Sequence, residues 1–101
     1  MWVLVMFDLP VDTKAARRAY AVFRKKLLRD GFTRVQFSVY ARHCASRENA
    51  AVHTGRVGRF VPDDGEIRIV LLTDKQFERM EIFWGKRRRQ PEPPPAQLEF
   101  F

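Results

Sequence analysis

The 101-residue chain has a single cysteine, Cys44, which excludes an intrachain disulfide and any CxxC redox or zinc pair. No apolar run approaches the ~20 residues of a membrane-spanning helix, and the N-terminal stretch lacks a basic start and a small-residue cleavage site. A soluble, cytoplasmic protein with no membrane partner is therefore expected. There are two histidines, His43 and His53, too far apart to form a metal pair on one helix face, and there is no nucleophile elbow. Carboxylates are in deficit, 12 Asp+Glu against 19 Lys+Arg, for a net charge of +7 and a pI near 10.3. Such a balance suits a polyanion such as nucleic acid or an anionic membrane face.

What the chain does have is a modest core, 46% hydrophobic and 13% aromatic, enough for one domain. Its organising stretch is Trp2 to Pro10, WVLVMFDLP, an apolar run of strand length that ends in an aspartate and is stopped by proline. Asp8 thus sits where a buried strand emerges. A carboxylate there is costly unless it caps a helix, meets a cation or binds a metal. No second carboxylate lies at a spacing that completes a metal site within one chain. In a symmetric dimer, two copies of Asp8 can instead share one magnesium among carboxylate and water oxygens.

Asp12 or Thr13 is placed to cap a helix running to about Asp30, where Gly31 stops it. Ala16, Tyr20, Phe23 and Leu27 fall on one face of it and Lys14, Arg18, Lys25 and Arg29 on the other, with Arg17 and Arg24 at the boundary. Phe32 to Cys44 reads as extended but too long for one strand, so a break is expected within Ser38 to Arg42. Ser46 caps a second helix to about Phe60, and Ile67 to Leu72 reads as a strand central in the sheet or near its centre because its end is apolar on both parities. This order predicts an α+β, ferredoxin-like βαββαβ sandwich with one sheet face uncovered, a face that invites a second copy of the chain. Residues 1–85 form the expected domain. Residues 86–101 form a basic, proline-rich linker and a terminal strand, Gln97, Leu98, Glu99, Phe100 and Phe101, suited to docking on a sheet edge of the partner protomer.

Arg17, Arg18, Arg24, Arg42, Lys86, Arg87 and Arg88 are the leading candidates for phosphate contacts, arginine for its bidentate geometry. Nothing accompanies them that reads bases. An RNA-recognition module of the same topology is the first alternative, but after Gly31-Phe32 its aromatic signature fails. A toxin-type ribonuclease on the same fold is the second.

VLVMFDLP, FRKKLLRDGF running into QFSVYARHC, and VPDDGEIRIVLLTDKQFERM together resemble the smaller of the two universal CRISPR adaptation proteins, in its type II branch. The similarity covers about nine-tenths of the chain. The resemblance implies a ferredoxin-like homodimer in a prokaryotic cytoplasm, with C-terminal strands extending the partner's sheet. It also implies a partnership with the larger adaptation protein, an integrase, in inserting spacers into the repeat array. By the same resemblance Asp8 is the magnesium ligand of an endonuclease acting on RNA or DNA, and Arg17 and Arg18 meet duplex DNA. Phe37, Val39 and Tyr40 are then structural, and Gln97 to Phe101 are the exchanged strand.

Overall fold

In the computed structural model, which describes residues 1–95, β1 (Trp2–Asp8) is the strand that both layers pack against. Strand geometry sends alternate side chains to opposite faces. Val3, Val5, Phe7 and Leu9 enter the main core, while Trp2, Leu4, Met6 and Asp8 lie on the other side. β1 runs antiparallel to β3 (Val39–His43) and to β4 (Glu66–Leu72), and β2 (Thr33–Gln36) pairs with the far side of β3. The sheet order is therefore β2-β3-β1-β4.

α1 (Lys14–Arg29) begins where the Thr13 hydroxyl accepts the Ala16 N–H at 3.0 Å, settling the choice between Asp12 and Thr13. It ends at Asp30, and Gly31, at φ +88°, reverses the chain into the buried Phe32. α2 (Arg47–Arg59) is capped by Ser46 as expected. Phe23 and Leu27 of α1 and Ala50 and Val57 of α2 close over the same side of the sheet. The result is the βαββαβ, ferredoxin-like α+β sandwich.

Three details differ from expectation. The break in the long extended stretch is the tight turn Phe37-Ser38, so it falls at the leading edge of the predicted window. Among the described residues β4 is bonded only to β1, so it is an edge strand beside a central one and not itself central. Its end is apolar on both parities because Ile69 and Leu71 pack on the main core while Leu72 packs on a second cluster. That cluster also overturns the wholly uncovered face. α3 (Asp74–Glu78), held by a Thr73/Gln76 capping box, lays Phe77 flat on Trp2 with ring centroids 4.1 Å apart and planes 11° from parallel. Among the described residues the part of this face around Met6, Asp8 and Val70 stays open.

Beyond α3, β5 (Ile82–Trp84) and β6 (Arg87–Arg89) pair as a separate hairpin around Gly85 and Lys86. The boundary expected at residue 85 falls inside this hairpin. The expected terminal strand, Gln97 to Phe101, lies outside the described residues. Among the described residues no helix is long and apolar enough to cross a membrane.

Candidate functional site

Asp8 is exposed at the end of β1, and its Cα partner across the β1–β4 ladder is Glu66. In an antiparallel pair, opposed residues share a face, so the two carboxylates stand side by side. Glu66 accepts from Arg68 Nε at 2.9 Å, and this bond with the arginine charge holds its carboxyl below the ordinary value. Asp8 receives no such bond among the described residues, and since Thr13 caps α1, Asp8 does not. The backbone around it is fixed by Gly65, whose φ of +98° lets β4 begin against β1. A Cβ there would lie 2.5 Å from Leu9 Cδ2 and 2.9 Å from the Asp8 carbonyl oxygen. No three metal-ligating side chains gather among the described residues. One chain thus offers a free carboxylate and an ion-paired neighbour. Magnesium commonly takes only one or two protein carboxylates and keeps water or substrate phosphate for the rest, so this donor set fits it when doubled.

The cations are segregated. α1 carries Lys14, Arg17, Arg18, Arg24, Lys25, Lys26 and Arg29 with no carboxylate, and α2 carries Arg47, Arg56 and Arg59 against Glu48. The two helices hold more positive charge than the chain's whole net +7. Arg17 is steered by donating to the Val11 carbonyl at 3.0 Å, Arg18 projects freely into solvent, and Arg24 is half-buried. Lys86, Arg87 and Arg88 belong to the hairpin instead. There Arg88 meets Glu81 at 3.0 Å, and Arg89 lies over the exposed Trp84 ring at 4.5 Å.

Arg42 is placed differently. Its Nε donates to the Asp30 carbonyl at 2.7 Å and its Nη1 to the His43 carbonyl at 2.8 Å, so its guanidinium closes the end of α1 against β3. The structure gives it packing work, apart from the other phosphate candidates. His43 is engaged too: Nε2 lies 3.1 Å from Asp74 Oδ1, on a carboxylate that also takes the Met1 ammonium. The buried His53 contacts Asp30 through Nδ1 at 2.7 Å, and Arg56 binds the other oxygen of Asp30 at 2.8 Å. Burial alone would raise the Asp30 pKa, but the bonds from His53 and Arg56 and their charge bring it below the ordinary value. Sequence reasoning missed Glu66, Lys26, Arg56 and Arg59. Strand register and helix-on-helix placement bring these together, and neither leaves a local motif.

The family described as CRISPR associated protein Cas2 matches residues 1–80. The chain belongs to the Cas2 family. It is 56% identical over its full 101 residues to a protein of Parvibaculum lavamentivorans named CRISPR-associated endoribonuclease Cas2, covering all of both chains. A protein of the same name from Flavobacterium psychrophilum is 52% identical over all of this chain and 88% of its own. The crystal structure of Streptococcus pyogenes Cas2 superposes with a TM-score of 0.63 at 26% identity, covering 83% of this chain and all of that one. The matched residues 1–80 include Asp8, both long helices and β4, and exclude the basic hairpin.

Proposed function

We propose that this Cas2 protein is the dimeric scaffold of spacer acquisition: two copies lie side by side, carry a DNA duplex on their basic surfaces and hold integrase subunits at a fixed separation. The observation that carries the reading is the charge segregation, with the net positive charge of the chain placed on the outer helical layer. Arg17 and Arg18 begin that surface, and Lys86, Arg87 and Arg88 add a second basic element on the hairpin. The edge of β4 and the open face around Met6 and Val70 suit a second protomer, whose terminal strand Gln97 to Phe101 would extend the sheet. Duplex binding that falls with salt at roughly 0.9 log units per log of salt for each phosphate neutralised supports this. Loss of Arg17 and Arg18 with an unchanged slope overturns it.

The relatives' name favours a second reading, a metal-dependent endoribonuclease. Asp8, exposed and without a side-chain hydrogen bond among the described residues, is the residue for it. Two copies of Asp8 would hold one magnesium, which would polarise a phosphodiester and activate water. The deciding experiment compares wild type with Asp8→Ala, both shown to be folded dimers, on labelled single-stranded RNA and duplex DNA with and without magnesium. Cleavage that disappears in Asp8→Ala makes the protein a nuclease. Duplex binding without cleavage by either protein leaves it a scaffold.

A further inference from the structure

α1 and α2 end side by side, and between their last turns lies a hollow of about 360 Å³ lined by Lys26, Arg29, Asp30, Arg56, Arg59 and Phe60. Four of these six are cations. Asp30 neutralises one of them, Arg56, and in doing so fixes the guanidinium at the rim. Lys26 is held over the Phe60 ring at 5.8 Å. Arg29 and Arg59 are exposed and make no ion pair among the described residues. Cations in the last turns of helices are ordinarily explained by the macrodipole, whose C-terminal end carries about half a negative charge. Two such ends and one carboxylate are still outweighed by four cations, so the hollow remains positive.

We propose that this hollow is a phosphate seat for a nucleic-acid duplex lying along the helices, the far end of the track that Arg17 and Arg18 begin. The inference rests on the duplex-binding reading above. Two observations favour a duplex over a single strand. Lys14, Arg18, Lys25 and Arg29 form one straight exposed row on α1, about 22 Å long at about 1.5 Å per residue, which matches a stiff rod. Single-strand sites also depend on exposed aromatic platforms, whereas neither α1 nor α2 exposes an aromatic ring. Arginine and lysine around a concave seat can take neighbouring phosphates of one backbone without reading sequence.

The test measures binding of a blunt, mixed-sequence DNA duplex across a salt series. It compares wild type, Arg29→Ala with Arg59→Ala, and a control of equal charge loss on the other side of the sheet, Lys75→Ala with Arg79→Ala. If the seat takes two phosphates, the first variant loses roughly 1.8 from the log–log salt slope while the control keeps the wild-type slope. Equal slopes in the two variants, or an unchanged slope in the first, overturn the seat and leave duplex binding intact. Absence of binding by wild type overturns the duplex reading itself, and the seat with it. Backbone amide shifts at Arg59 and Phe60 on adding the duplex to wild type give a readout that no variant's folding can affect. Silence there while amides near Arg17 shift counts against the seat.

Discussion

Asp8 and Glu66 are paired across the β1–β4 ladder with their carboxylates on the same sheet face, and Arg68 compensates only Glu66. Like charges directly opposite each other on a sheet destabilise it. Asp8 is therefore a carboxylate that the fold tolerates without reward, as functional carboxylates commonly are. Asp8→Asn is expected to raise the melting temperature at neutral pH without magnesium. Thermal melts at neutral pH check this, and a variant less stable than wild type would give Asp8 a structural role.

Asp30, itself nearly buried, joins the end of α1 to α2 through the buried His53 and the half-exposed Arg56. Its carboxyl pKa is depressed in the folded state, so its contribution is complete above the unfolded value of about 4 and is lost as pH falls through the lower folded value. Asp30→Asn should cost about 1.5–3 kcal/mol at pH 7, the range for hydrogen bonds to a charged group. Half of the Arg56 side chain is solvated, which places the effect toward the lower end. In urea titrations the wild type should lose more stability than the variant between pH 5 and about pH 2. Parallel losses would show that Asp30 is not what acid removes.

The fold was legible where it depended on local signals. Thr13 and Ser46 are caps, Gly31 is a stop, and the apolar period of α1 places Phe23 and Leu27 inside. Asp8 could be singled out because a charge ending an apolar run is unusual wherever the strand pairs. Glu66 could not be, because its relation to Asp8 is one of register, and the intervening chain contains both long helices. The basic row on α1 was visible from one helix alone. The hollow it leads to needed α2 alongside. Arg42 looked like any exposed strand-end arginine until the α1 carbonyl it serves was in place.

Gly65 sets where β4 meets the end of β1. Gly65→Ala combines two penalties: a left-handed backbone, which costs a non-glycine residue about 1–2 kcal/mol, and a methyl group pressed on Leu9 and the Asp8 carbonyl. The backbone contact cannot rotate away. Asp8 is expected to shift, so any magnesium-dependent cleavage should fall along with the melting temperature. A variant as stable and as active as wild type would mean that this junction readily relaxes.

Trp2 and Phe77 tie α3 to the sheet face that would otherwise be bare, and both side chains are buried. Removing the ring in Phe77→Ala should cost about 3 kcal/mol, near the low end for a buried aromatic because the short α3 can settle toward the gap. The effect is also spectroscopic. Trp84 is 63% exposed, so a Trp84→Phe background leaves Trp2 as the only indole. In that background Phe77→Ala should move the emission maximum to longer wavelength as water reaches Trp2, with the far-ultraviolet signal of α1 and α2 retained. The two helices pack in the other core, on the opposite face of β1, and do not need α3. An unshifted emission spectrum would show that another segment covers Trp2, and the prolines 91, 93 and 94, which line a hollow with Trp2 and Phe77, are placed to do so.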